Sequence, residues 1–231
     1  MSRDFALYDK RHYRTVGVLE GYRQWSRSYD RNMTGDLDIE LLQQLTTVDF
    51  CVERVIDLAC GTGRIGTWLA SVGAREIVGV DLCPEMLAEA AKRGVYRELR
   101  NEDIRATELP SALADLVINV LSVEHLPSLA PFYAELARLV RSGGHVVLVG
   151  FHPHFLLNGI PTHFDLETGE ALAIETTIHL FSDHVASARA VGFQLIDARE
   201  RVVDEELLGR SPGWRRHAGM PVSFALVWRA S

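Results

Sequence analysis

At 231 residues, with 47% hydrophobic and 24% charged side chains, the chain has the size and composition of one ordinary globular domain and is neither a disordered tail nor a fibre. Lys and Arg total 24 against 31 for Asp and Glu, a formal charge of −7, so the chain as a whole lacks the positive field that a phosphate backbone selects, and nucleic acid is excluded as a first partner. No stretch reaches the roughly 18 to 20 apolar residues of a membrane span and no signal-peptide core is visible, while Cys51, Cys60 and Cys83 form neither a zinc nor a disulfide framework. The expectation is a soluble cytoplasmic protein with no membrane partner and no metal.

Along the chain, residues 14–29 and 36–45 read as helices with mixed faces, a helical cap within residues 1–50. A core over 51–151 follows, in which short runs rich in Val and Ile at 54–59, 76–80, 115–121 and 145–151 read as buried parallel strands. Helical patterns separate them at 63–71, 84–93, with Pro84 in the first turn, and 131–140, closed by Gly143 and Gly144; a shorter strand pattern lies at 96–100. The stretch 152–180 is irregular, and 152–181 is assigned as an insertion on the substrate side. A helix over 182–191 and strands over 193–203 and 222–228 complete a single domain, the last segment running 182–231. Alternating strand and helix predicts an α/β fold with a doubly wound, mostly parallel sheet, whose ligands bind beyond the carboxyl ends of the strands.

The first strand runs into glycines, R-V-I-D-L-A-C-G-T-G-R-I-G. Glycines there let the backbone approach a ligand closely, and the following helix start offers free N–H groups. Gly61, Gly63 and Gly66 satisfy G-x-G-x-x-G, and Asp81 follows at the end of the next strand, where a carboxylate can accept from both hydroxyls of a ribose. Asp57 argues against a dinucleotide, because its carboxylate beside the loop would repel a pyrophosphate, whereas a ligand carrying ammonium and sulfonium groups suits it. Asp103, after the fourth strand pattern, is placed to accept from an exocyclic adenine amine. Taken one at a time, the glycines could be a tight turn and the acids solvated loop residues or helix caps. Cys60 reads as a small filler in the turn.

The ordered set D-L-A-C-G-T-G, G-V-D-L-C-P-E-M-L, N-E-D-I, D-L-V-I-N-V-L-S-V-E-H-L and L-A-R-L-V-R-S-G-G resembles the motifs of class I S-adenosylmethionine (SAM)-dependent methyltransferases, in particular the small-molecule branch called type 11 or ubiquinone/menaquinone-methyltransferase-like. The motifs cover roughly residues 55–150. The resemblance implies a seven-stranded Rossmann-like sheet, SAM as cofactor, S-adenosylhomocysteine (SAH) as product and a small-molecule methyl acceptor. It further implies that Asp57, Ala59, Gly61 and Gly63 frame the methionine end, Asp81 with Leu82 the ribose, and Asp103 with Ile104 the adenine, with Asn119 and the cap residue Tyr29 completing the cofactor set. Ala59 departs from the family's usual glycine.

Two other functions share this fold. A nicotinamide-dependent oxidoreductase of the Y-x-x-x-K type is excluded, because Lys10 and Lys92 are the chain's two lysines and Ala6 and Ala88 stand four residues before them. Oxidoreductases of other types, and a non-methylating descendant that keeps the nucleotide structurally, stay open. For methyl transfer the chain must align a nucleophile and, where needed, take its proton. Candidates are Glu124 and His125 after the fourth main strand, and His152, His154 and His163 beyond the next, near His179 and His184. Each histidine alone also reads as an ordinary packing or hydrogen-bonding residue. The helical stripe of Tyr22, Trp25 and Tyr29 reads as core. No oligomeric state is legible.

Overall fold

The computed structural model describes residues 3–32, 37–166 and 168–231. In chain order its elements are β1 (Arg14–Val16), α1 (Val18–Trp25), α2 (Tyr29–Asn32), α3 (Leu37–Gln44), β2 (Arg54–Leu58), α4 (Arg64–Ser71), β3 (Glu76–Asp81), α5 (Pro84–Ala91), β4 (Glu98–Asn101), β5 (Ala114–Val120), α6 (Ala130–Leu139), β6 (Val140–Phe151), α7 (Pro153–Leu157), β7 (His163–Asp165), β8 (Ala171–Ile174), α8 (Phe181–Ala190), β9 (Gln194–Val202), α9 (Glu205–Arg210) and β10 (Pro221–Arg229).

Seven strands form one sheet in the order β4-β3-β2-β5-β6-β10-β9, and β10 alone runs against the rest. The central strands are apolar on both faces because both faces are covered. Phe132, Tyr133 and Leu136 of α6 pack on one side, and Leu41, Leu42, Ile65 and Leu69 of α3 and α4 on the other, all buried. Each such side chain contributes about 1.5–3 kcal/mol through the apolar surface it removes from water. The chain winds outward from β2 to β4 and then returns to place β5 on the other side of β2. That reversal opens a crevice beyond the ends of β2 and β5, the position where open α/β sheets bind ligands. At its lip two non-glycine residues are left-handed, Ala59 (φ 57°) and Leu121 (φ 55°).

Three sequence expectations need correction. Residues 14–16 are a strand, not the start of a helix: the β-branched pair Thr15-Val16 pairs in parallel with β8, Arg14 opposite Leu172, and the helix begins only after extended Gly17. The stretch expected to be irregular is ordered as α7, β7 and β8, and β7, β8 and β1 make a second sheet of three strands too short to give a periodic signal. The helix before β6 ends at Leu139, and Val140 already pairs with Ala114. The expected start of the second cap helix at Asp36 lies outside the described residues.

Under the glycine-rich turn lies the ring of Tyr96. A Cβ on Gly66 would stand 2.3 Å from its Cζ and Oη, one on Gly79 2.8 Å from Cε1, and one on Gly63 3.0 Å from Cε2. Three glycines from two elements and a turn therefore make one slot for one side chain. Gly66→Ala is expected to destabilise the fold by about 1–3 kcal/mol through overpacking, read from urea unfolding; an unchanged midpoint would mean that the ring is not held by this slot.

Candidate functional site

The crevice holds two cavities. The smaller, about 240 Å³, has Ala59, Gly61, Asp81, Asp103 and Ile104 along its floor and Val18, Tyr22 and Tyr29 of the cap as its roof. The larger, about 780 Å³, lies between the main sheet, the second sheet and the segment after β9, with walls from Trp25, Phe151, Phe155, Phe164 and Trp214. Leu121 lines both cavities. Its left-handed backbone, fixed by donation of its N–H to the Val149 carbonyl (2.8 Å), turns the chain at the end of β5 between them.

Asp81 is anchored before any ligand arrives. Its Oδ2 accepts from the Gly61 N–H and its Oδ1 from the Cys83 N–H, both 2.8 Å, which leaves each oxygen a further lone pair. Burial raises its pKa while these bonds oppose the rise. Gly61 is left-handed (φ 54°) and a Cβ there would meet open space, so the backbone is bare on that side. The apolar wall of Met86, Ile104 and Leu126, with half-exposed Leu82 beside Asp81, suits an adenine face. This cavity therefore fits an adenosine with a ribose diol. Asp103 lines it too, but both its oxygens already accept from Arg105, at 2.9 Å to Nε and 2.5 Å to a terminal nitrogen, and those bonds lower its pKa.

Asp57, Gly63 and Asn119 do not line this cavity. Asp57 is buried beneath the loop, accepting from the Tyr96 hydroxyl at 2.7 Å. Gly63 serves the Tyr96 slot. Asn119 spans β5 to β2 by donating to the Leu58 carbonyl (2.8 Å) and to Ser122 Oγ (2.7 Å). Its Oδ1 is buried with no partner among the described residues. The cap is pinned over the loop by Asp30, which accepts from Thr62 Oγ1 (2.5 Å) and pairs with Arg93, and by Asp38 with Arg64 (3.0 Å).

The expected catalytic residues separate. His125 donates from Nδ1 to the Glu175 carbonyl (2.7 Å), and its Nε2 is hydrogen-bonded to the Tyr22 hydroxyl (2.8 Å) in the roof of the smaller cavity. Glu124 is buried between the cavities: its Oε1 accepts from Thr162 Oγ1 (3.1 Å), on the wall of the larger one, and its Oε2 has no partner among the described residues. His163 lines the larger cavity, donating from Nδ1 to the Pro161 carbonyl (2.9 Å), so its Nε2 is the acceptor nitrogen.

His152 and His154 line neither cavity. His152 caps α7 through Nδ1 and meets Glu200 through Nε2 (3.0 Å), and His154 is exposed. His184 is core, against Tyr133, its pKa pushed down to about 3 by burial. Burial pushes the Cys60 thiol far up, in keeping with a filler. Sequence reading missed Thr162, Leu121 and the wall around Trp214. It also read Tyr22 as core, although its helical spacing with Tyr29, expected over the cofactor, was the signal that they share one face.

A family model described as a methyltransferase domain matches residues 56–148. An uncharacterized methyltransferase of Emericella nidulans is 27% identical over 84% of this chain and 83% of its own length. A malonyl-[acyl-carrier protein] O-methyltransferase of Enterobacter lignolyticus is 38% identical over 39% of this chain, which spans only 36% of that protein. Among solved structures, an S-adenosylmethionine dependent methyltransferase from Mesorhizobium loti superposes with a TM-score of 0.69 at 19% identity, covering 84% of this chain and 98% of that one.

The carboxyl of Asp57 is pushed up to about 7, chiefly by burial, with the nearby Asp81 adding to the rise and the Tyr96 hydrogen bond opposing it. A carboxyl that holds its proton more tightly when folded than when unfolded makes the fold less stable as pH rises between the two values. Relative to Asp57→Asn, the native chain is expected to lose stability from about pH 4 to about pH 7, by roughly 1.4 kcal/mol per pH unit within that window, and to level off above it. Parallel stability profiles for the two proteins would contradict this.

Proposed function

Since this chain is a class I SAM-dependent methyltransferase of the type 11 branch, we propose that it methylates an oxygen, nitrogen or acidic carbon of a small molecule seated in the larger cavity. The observation that carries this reading is the pair of cavities meeting at Leu121, one with the lining an adenosine needs and the other walled in part by aromatic side chains and large enough for a small acceptor. A relative named aklanonic acid methyltransferase, from a Streptomyces species, 31% identical over 56% of this chain, is one precedent for a small-molecule methyl acceptor.

Asp81 and Gly61 would hold the ribose, Ile104, Leu82 and Met86 the base, and Tyr22 and Tyr29 would cover the nucleoside. When bound, SAM supplies an electrophilic methyl group on a sulfonium, whose carbon–sulfur bond breaks with its electron pair remaining on sulfur. The chain's part is alignment and proton transfer. Leu121 sets the passage between donor and acceptor. Glu124 is a buried carboxyl whose neighbours His125 and Thr162 line one cavity each, and it accepts from the Thr162 hydroxyl. His125 holds Tyr22 in the roof. His163, with Nε2 as its acceptor nitrogen, takes the proton that a hydroxyl, amine or acidic C–H nucleophile releases. His152 acts through the fold, by starting α7, and His154 lies outside the site.

Label transfer from methyl-labelled SAM into a small-molecule extract tests the activity, and retention of SAM with no labelled product would leave the non-methylating reading standing. Asp81→Ala is expected to weaken SAH binding by at least about tenfold, the equivalent of one lost hydrogen bond to a charged group, with the circular dichroism spectrum unchanged; unaltered affinity by calorimetry contradicts the ribose assignment. With an acceptor so identified, His163→Ala is expected to lower kcat by at least about tenfold and leave SAH affinity intact.

A further inference from the structure

The larger cavity is not closed at its outer end. It shares His163, Asp165 and Arg216 with a third hollow of about 500 Å³, whose other walls include Arg11, His12, Arg14 and Glu170. The aromatic interior therefore continues into a polar cleft, and that cleft is locally basic in a chain whose net charge is −7. Arg14 is partnered by Glu170 at 3.7 Å. Among the described residues the guanidinium groups of Arg11 and Arg216, and of Arg31 on the wall of the larger cavity, have no carboxylate partner. Asp165 on the shared rim and Asp9, whose carboxylate accepts from the Arg11 backbone N–H at 2.9 Å, are the acids that oppose them.

Two of these guanidinium groups are held at the rim by neutral contacts. Arg216 donates from Nε to His217 Nε2 at 3.0 Å, and His217 in turn packs edge-on against Phe155 of the aromatic wall. Arg11 donates to the Tyr13 hydroxyl at 3.1 Å, and the Tyr13 ring lies against His163. Burial, and the positive charges of Arg216 and Arg11, lower the His217 pKa, so both arginines stand close to that ring. The charges are thus positioned without being neutralised. That is what a site for an oxyanion requires, because a guanidinium fork already spent on a carboxylate has little left to offer.

Resting on the assignment of the larger cavity as the acceptor site, we propose that the methyl acceptor is an anionic amphiphile, with an aromatic or other apolar body between Trp25, Phe155, Phe164 and Trp214 and a carboxylate-like oxyanion held at the rim by Arg216 with Arg11. Asp165 sets the boundary of the anion's seat and weakens it.

The probe is 2-naphthoate, compared with the uncharged 2-naphthamide, with binding to the full chain read by tryptophan fluorescence and calorimetry. The acid is expected to bind about tenfold more tightly than the amide at low salt. That advantage is expected to shrink as salt is added, to fall to about threefold or less in Arg216→Gln and in Arg11→Gln, and to grow in Asp165→Asn. Equal affinities for the two probes, no binding of either, or an advantage that survives in the doubly substituted Arg11→Gln, Arg216→Gln chain would each overturn the proposal. All three hollows contribute to the fold, so each variant is also checked for its thermal midpoint and for SAH binding. A chain that binds SAH but does not prefer the acid refutes this inference alone, whereas failure of the native chain to bind SAH refutes the function proposed above.

Discussion

Tyr96 donates its hydroxyl to Asp57 from beneath the loop that joins β2 to α4, and much of the site is arranged around that one bond. The ring occupies space that only glycine leaves at positions 63, 66 and 79, so a strand, a turn and a helix are brought to fixed distances by a single side chain. Asp57, cut off from water, needs a donor of this kind, because a buried carboxylate without one is costly. Its opposite neighbour on β3 is Gly79, and the carboxylate of Asp81 lies two residues farther along the same strand. The two acids thus serve different ends. Asp57 fixes the underside of the loop, while Asp81 ties down Gly61 and Cys83 and keeps lone pairs for the ribose.

The central sheet was legible in the sequence because strands buried on both faces must be apolar throughout, and the runs at β2, β3, β5 and β6 were. The ends of those strands were legible for the same reason, which is why Gly61, Asp81, Asp103 and Ile104 fall along one cavity. What could not be read was anything decided across the chain. Gly66 looked like the third glycine of a nucleotide fingerprint, and only the fold shows that it makes way for a tyrosine thirty residues later. His152 and His163 are close in sequence, yet α7 turns the chain between them, so one caps a helix and the other faces a cavity. Tyr22 was visible as part of a stripe, but whether a helical stripe covers core or ligand depends on what lies opposite.

The distribution of charge follows the same division of labour. The acids near the cofactor cavity are held by backbone N–H groups, a tyrosine or arginines of their own segment, and the cap is locked on by buried or half-buried pairs such as Asp38 with Arg64. The rim of the larger cavity is different: its arginines lean on histidine and tyrosine. Fixing a charge with neutral partners preserves its field, and fixing it with an opposite charge cancels that field at a distance. A chain that is acidic overall can in this way present a basic mouth.

The second sheet has a consequence for when the site exists. β1 belongs to the N-terminal cap but finds its partner, β8, only after the five parallel strands β2 to β6 of the main sheet, Arg14 opposite Leu172. The roof helix α1 follows β1 directly, so the cofactor cavity is roofed next to a pairing that closes the long loop from Arg14 to Leu172 and is made of strands three and four residues long. Such a pairing forms late and lets go early, since it carries the entropy of a long closure on few backbone bonds. The roof of the cofactor cavity is therefore the part of the site whose backbone pairing is expected to loosen first while the main sheet stays intact.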